Sequence, residues 1–238
     1  VNKKLYNKSM LNADIEIINL LSGSSKKLLL ENIKFEIGSK SIYSILGKNG
    51  SGKTTLIKSL TDLLPQNLYE IKGKVKFNEN DLLNIAPELL RSIRKEKIRY
   101  VFQDAINSFD PLKKFEYYFN NSKAAMYEIE EYLQYFLLPG YNKISKLYPY
   151  ELSGGMAQRM SLIFALLAKP KLIILDEPTS VLTPQEVTTL FVTLRRLAEE
   201  GCSILFISHK LNDVKALCHR ATILRGGHVS GACIQPAE

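Results

Sequence analysis

Gly47-Lys48-Asn49-Gly50-Ser51-Gly52-Lys53-Thr54-Thr55 lies between an apolar run, Ser41-Ile42-Tyr43-Ser44-Ile45-Leu46, and a stretch in which Leu56, Ile57, Leu60, Leu63 and Leu64 recur at helical spacing. The nine residues therefore join a buried strand to a helix. Gly47, Gly50 and Gly52 let the backbone turn tightly, so that its N–H groups converge at the positive end of the helix, a place suited to phosphate oxygens. Lys53 adds a full charge for the β- and γ-phosphates, and Thr54 offers a hydroxyl to Mg²⁺. Asn49, Ser51 and Thr55 complete the cradle, and the whole fits the P-loop pattern of Gly, four residues, Gly, Lys, Ser or Thr. A glycine-rich turn that binds nothing is the competing reading. It loses because strand and helix stand where phosphate binding needs them.

Phosphoryl transfer rests on positioning and charge stabilisation, so a P-loop needs acidic partners. Lys171-Leu172-Ile173-Ile174-Leu175-Asp176-Glu177 is an apolar strand that ends in two adjacent acids. Asp176 is expected to hold the Mg²⁺ shell, and Glu177 to polarise the attacking water. An acidic turn capping a core strand is the bland alternative.

One hundred residues beyond Lys53 stands Ser153, within Leu152-Ser153-Gly154-Gly155-Met156-Ala157-Gln158-Arg159. Met156, Met160, Ile163, Phe164 and Leu167 follow at helical spacing, which puts Ser153, Gly154 and Gly155 at a helix N-terminus. On these residues the chain resembles the ATP-binding cassette (ABC) family, whose signature is Leu-Ser-Gly-Gly-x-x-x-Arg. The resemblance implies an α/β P-loop NTPase fold: a mostly parallel RecA-like core, an antiparallel β-subdomain and an inserted α-helical subdomain. It implies one ABC ATPase domain over 1–238, with residues 1–83 and 166–238 as core and β-subdomain and 84–165 as the helical lobe. It further implies ATP and Mg²⁺ as cofactors, with Ser153, Gly154 and Gly155 binding the γ-phosphate of ATP held on a second ATPase subunit. Gln103, in Tyr100-Val101-Phe102-Gln103-Asp104, is similar to the family's Q-loop glutamine, which senses Mg²⁺ and the attacking water. His209, in Phe206-Ile207-Ser208-His209-Lys210, is similar to its switch histidine, which contacts the γ-phosphate. A lone histidine is usually structural, but this one follows an apolar strand and lies 32 residues beyond Glu177.

The bulk properties point the same way. A chain of 238 residues can bury a substantial core. No run of roughly 18 apolar residues is present, so no membrane span is expected. The polar, lysine-rich start from Val1 to Met10 lacks a following apolar segment and does not read as a signal peptide. Cys202, Cys218 and Cys233 have no paired spacing for zinc or a redox dithiol, and read as reduced thiols. The formal charge of +8 is read as solubility and proximity to an acidic leaflet or nucleotide. No nucleic-acid partner is expected, because no basic stripe interleaves with stacking aromatics.

Alternation over Asp14 to Leu21, Ile33 to Ile37 and Lys74 to Phe77 predicts strands of a small antiparallel sheet. Ala125 to Leu138 predicts a helix with Met126, Ile129, Leu133, Phe136 and Leu137 on one face. After Glu177 the order is helix (Gln185 to Glu200), strand (Ser203 to Ser208), helix (Leu211 to Leu217) and strand (Ala221 to Leu224), which argues for a parallel α/β core.

Within the family, Gln103-Asp104-Ala105-Ile106-Asn107-Ser108-Phe109-Asp110-Pro111 and Tyr148-Pro149-Tyr150-Glu151 ahead of the signature are similar to importers of oligopeptides, nickel and opine-type metal chelates. Asp176 to Glu186 and Cys218 to Gly227 are similar instead to importers of simple sugars and purine nucleosides. Composition changes along with the resemblance: residues 1–150 hold 20 Lys, 3 Arg and 14 Asn, and residues 151–238 hold 4 Lys, 5 Arg and 1 Asn. Domain bias and a chain joined from two sources both fit that change. The resemblance implies a peripheral subunit on the cytoplasmic face of the cell membrane, partnered by a second ATPase subunit in a homo- or heterodimer, by membrane permease subunits and, indirectly, by an extracytoplasmic solute-binding protein. The alternative is a soluble cassette ATPase acting on DNA or the ribosome. The aromatics Phe115, Tyr117, Tyr118 and Phe119 read equally as permease anchors and as lobe core. Two positions depart from the family: Thr183 stands where most members carry Asp, and Leu21-Ser22-Gly23-Ser24-Ser25 offers no aromatic for adenine.

Overall fold

Alternate residues of three buried parallel strands face two different cores, and this sets the architecture. In the computed structural model, which describes residues 9–23 and 25–234, strand β3 is Ile42–Leu46, β7 is Leu172–Asp176 and β8 is Ser203–Ser208. Ile42, Ile173, Leu175, Ile204 and Phe206 belong to one apolar cluster; Tyr43, Ile45, Leu172, Ile174, Leu205 and Ile207 belong to the other. A strand period of two sends neighbours to opposite faces, so near-continuous apolar runs mean a sheet covered on both sides. Residues 1–8, on which the reading of no signal peptide largely rests, and Ser24 of the expected adenine segment lie outside the described residues.

The covered sheet has six strands in the order β10-β9-β3-β8-β7-β6, where β6 is Ile98–Val101, β9 is Arg220–Arg225 and β10 is His228–Ile234. All neighbouring pairs are parallel except β9 and β10, which form an antiparallel edge. Against one face lie helix α1 (Lys53–Ser59), helix α2 (Pro87–Glu96) and a second sheet, through Leu56, Ile57, Leu60, Leu90 and Ile93. That sheet is antiparallel: β1 (Ser9–Ser22) runs between β2 (Ser25–Gly38) and β4 (Tyr69–Phe77), with β5 (Asn80–Asp81) at its edge. The predicted strands are there, but longer than the alternation showed.

The other face carries the remaining helices: α3 (Phe115–Ser122), α4 (Met126–Tyr135), α5 (Tyr141–Ile144), α6 (Gly154–Leu167), α7 (Pro184–Glu200) and α8 (Leu211–Leu217). Ile129, Leu133 and Phe136 are buried as the helical period requires. Met126 and Leu137 are exposed, however, because Met126 opens α4 and Leu137 lies beyond its end in a left-handed conformation with φ 54°. The aromatics after Gln103 divide as well: Phe115 and Phe119 are core, while Tyr117 is half exposed. Strand β6 falls inside the 84–165 range expected for the helical lobe, yet it pairs with β7 and is an edge of the core sheet. Its four residues are too short for alternation to reveal. No helix among the described residues is long and apolar enough to cross a membrane.

Candidate functional site

The turn after β3 is built on close approach. Gly52 has φ 95°, and a Cβ there would meet Leu30 Cδ2 at 2.6 Å; a Cβ on Gly47 would meet the Leu224 carbonyl oxygen at 2.6 Å. Only glycine serves at either point. Helix α1 begins at Lys53 with no side-chain cap, so its first N–H groups face outward for an anion. The Lys53 ammonium is buried, donating to the carbonyl oxygens of Gly47 at 2.9 Å and Lys48 at 3.1 Å.

Three expected groups converge on Glu177. Lys53 Nζ lies 3.3 Å from its Oε1, and His209 Nδ1 lies 3.2 Å from its Oε2. Gln103 Nε2 donates to the same Oε2 at 3.4 Å. Glu177 is 7% exposed and sits at φ 49°, a left-handed conformation that is uncommon for a residue with a side chain and is held here by tertiary contacts. One such contact is its N–H donating to the Ile207 carbonyl at 3.1 Å, which fastens the end of β7 to the end of β8.

Asp176 occupies the last position of β7. Its Oδ2 accepts from Thr54 Oγ1 at 3.2 Å and from Tyr100 OH at 3.3 Å, whereas its Oδ1 is buried with no partner. Burial pushes this carboxyl above the ordinary carboxylate range, opposed by the two hydrogen bonds and by Lys53, and reinforced by the Glu177 charge. A buried carboxylate with an orphaned oxygen beside a threonine hydroxyl fits a divalent cation that keeps several waters.

The signature stands apart. Ser153 caps α6 by accepting from the Met156 N–H at 3.3 Å, and Ser153 and Gly154 are exposed. Among the described residues, no hydrogen bond or ion pair connects Ser153, Gly154 or Gly155 with residues 47–55 or with Asp176 and Glu177. Gly155 instead approaches the loop after Glu177, where its Cβ would lie 3.3 Å from the Val181 carbonyl oxygen. Arg159, at the close of the signature, reaches Glu186 at 3.2 Å and the Phe136 carbonyl at 2.8 Å, tying α6 to α7 and α4. Thr183 caps α7, accepting from the Glu186 N–H at 3.4 Å while Glu186 accepts from the Thr183 N–H at 2.8 Å. Asp and Thr are both good N-caps, so the departure at Thr183 preserves this local geometry.

Several positioning residues escaped the sequence. Thr179 is buried and donates to Asp213 Oδ2 at 2.6 Å; Lys210 Nζ donates to the Thr179 carbonyl at 2.9 Å; and Lys210 N–H donates to Ser208 Oγ at 2.9 Å. These bonds fasten the loop that carries Glu177 to the loop that carries His209. Tyr100 is a fourth, and burial together with Asp176 pushes its phenol pKa up, so the hydroxyl stays a donor. Tyr100 opens the segment Tyr100 to Asp104, and nothing in its spacing marks the contact with Asp176.

A family model described as ABC transporter matches residues 30–180. The metal-staphylopine import system ATP-binding protein CntD of Staphylococcus aureus is 32% identical over 213 residues, covering 84% of this chain and 78% of that protein. This alignment is too long to lie in either half of the composition change alone. The oligopeptide transport ATP-binding protein OppD of Escherichia coli is 32% identical, covering 83% of this chain and 61% of that protein. Among solved structures, a dimeric ATP-binding cassette in a post-hydrolysis state bound to ADP and Pi superposes with a TM-score of 0.82 at 23% identity, covering 95% of this chain and 99% of that one. At that identity the match speaks for the fold.

Proposed function

This chain belongs to the ABC transporter family and is an ATPase, and on that premise we propose that it energises import of a small solute by pairing with a second ATPase subunit and coupling to a membrane permease. Peptides or metal chelates are the preferred solute class, because three relatives at 32% identity are named for metal-staphylopine import, oligopeptide transport and dipeptide transport. Its place is then the cytoplasmic face of the cell membrane, held there by the permease. The observation that carries the reading is the convergence of Lys53, Gln103 and His209 on the one buried carboxylate of Glu177.

In this reading Lys53 and the N–H groups of residues 47–55 bind the β- and γ-phosphates, and Glu177 orients the attacking water and accepts its proton at a carboxylate oxygen. His209 and Gln103, already on Glu177 Oε2, fix which way that carboxylate faces. Thr54, Asp176 and Gln103 would hold Mg²⁺, which supplies charge neutralisation at the β- and γ-oxygens. Ser153, Gly154 and Gly155 act on the nucleotide of the second subunit, so each site is completed by the partner. We assign β6 and α2 to the core and begin the helical lobe after Gln103.

Light scattering of a Glu177→Gln variant, with and without Mg-ATP, tests this. The expected outcome is a dimer formed only with ATP. A monomer that binds ATP and never pairs with itself would overturn the shared site between two copies of this chain.

A further inference from the structure

Gln158 is fully buried in α6, and neither its Nε2 nor its Oε1 has a hydrogen-bond partner. Other buried polar side chains with an unpartnered atom, such as Ser51 and Asp176, leave one atom so; among the described residues Gln158 alone leaves two. An apolar residue of the same length would fill this place without the cost of desolvating an amide. Packing gives no reason for a glutamine here.

Its position on the helix gives one. Helical side chains lean toward the N-terminus and cover the turn before their own Cα, so Gln158 lies over the turn of Gly154 and Gly155. The loop after Glu177 comes in at that turn, where a Cβ on Gly155 would stand 3.3 Å from the Val181 carbonyl oxygen. This oxygen accepts no hydrogen bond among the described residues, and the N–H groups of Val181 and Leu182 donate none. One loop therefore offers an acceptor and donors to match both ends of the amide. The same loop is short and tied to the chemistry: the Ser180 N–H donates to the Glu177 carbonyl at 3.1 Å, so a hold on Val181 acts on Glu177 through a single turn.

We propose that Gln158 is a positioning residue for hydrolysis: when a second subunit's nucleotide engages the start of α6, its amide takes the Val181 carbonyl and fixes the loop that carries Glu177. The inference rests on the reading above, in which Ser153, Gly154 and Gly155 act on that nucleotide. It makes the start of α6 two-sided, with the signature facing outward and Gln158 gripping its own chain's catalytic loop behind it.

The test is Gln158→Met in the full chain, which keeps the length of the side chain and removes both polar ends. Its kcat for ATP is expected to fall about tenfold with KM unchanged, the size of one hydrogen bond lost in the transition state, while its urea midpoint stays the same or rises. Leu162→Met, a volume-conserving core change one turn further along α6, should leave kcat within about twofold. An unchanged kcat, a shift in KM alone or an equal fall in Leu162→Met overturns the proposal. So does a lower urea midpoint for Gln158→Met, which would mean that the amide is already bonded in the resting chain. ATP-dependent pairing of Glu177→Gln separates the two levels. If that variant pairs and Glu177→Gln combined with Gln158→Met does not, Gln158 serves the contact between subunits and the proposal alone fails; if Glu177→Gln itself never pairs, the reading beneath it fails.

Discussion

Two glycine-rich turns start helices in this molecule, at α1 and at α6, and they are built in opposite ways. The first has no side-chain cap, a buried lysine at its opening, and glycines pressed against Leu30 and Leu224. The second is capped by its own Ser153 and is exposed. Around the first, Lys53, Gln103 and His209 meet Glu177, and Thr54 meets Asp176, through contacts of 3.2 to 3.4 Å. Around the second, the polar contacts run backward into the protein, through Arg159 to Glu186 and Phe136. One is a pocket whose groups already face each other. The other is a braced edge whose outward side is exposed.

The hardest blow to that contrast is Lys53→Ala. It removes the charge of the closed pocket, and turnover should fall at least about 10²–10³-fold, the loss typical of deleting one electrostatic group from such a site. An ATPase assay with titration of labelled nucleotide checks this, and ordinary affinity and rate would end the P-loop assignment.

Ser153→Arg addresses the open edge. A monomer should keep its nucleotide affinity, while the ATP-dependent dimer of the Glu177→Gln background should disappear. If scattering still reports a dimer, the signature does not act on a partner's phosphate.

A smaller effect is expected at the clasp between the Glu177 and His209 loops. Thr179→Val removes the 2.6 Å bond to Asp213 without changing side-chain shape. One hydrogen bond to a charged group corresponds to about tenfold or somewhat more. The loss should fall on kcat with KM for ATP unchanged, since the clasp positions groups that act in the transition state. Thr179→Ser should restore most of the rate. A change in KM alone would assign Thr179 to nucleotide binding.

The smallest effect concerns Asp176. Its folded-state pKa lies above the ordinary carboxylate value, so the folded chain holds that proton at a pH where the unfolded chain has released it. Stability should therefore fall as pH rises through the window between the two values and level off beyond the raised one. Asp176→Asn should flatten that part of the profile, read as urea midpoints from about pH 4 to about pH 7. An unchanged slope would place the shift on another group.

The pocket was legible early because its chemistry is written in local sequence. A run such as Leu172 to Leu175 names a doubly covered strand, Asp176 and Glu177 fall at its end, and Gly52 precedes a lysine at a helix start. Helix α4 was less legible, since an apolar residue can open or follow a helix and still face water, as Met126 and Leu137 do. Strand β6 was hidden by its length, and its membership in the core sheet depends on pairing with β7, more than 70 residues away. The clasp of Thr179, Lys210 and Asp213 left no pattern at all, because a threonine and an aspartate 34 residues apart form a bond only when β7 and β8 lie side by side.

By itself the sequence determined which side chains carry charge toward a phosphate, which strands are buried on both faces and which turns demand glycine, because these depend on residue type and short-range periodicity. Only the tertiary structure decided that Glu177 is held by three groups distant in sequence, that Thr179 and Lys210 clasp its loop to that of His209, and that β6 is an edge of the core sheet. Those facts depend on the register of the central sheet and on burial, and both come from contacts that close only after the chain has folded.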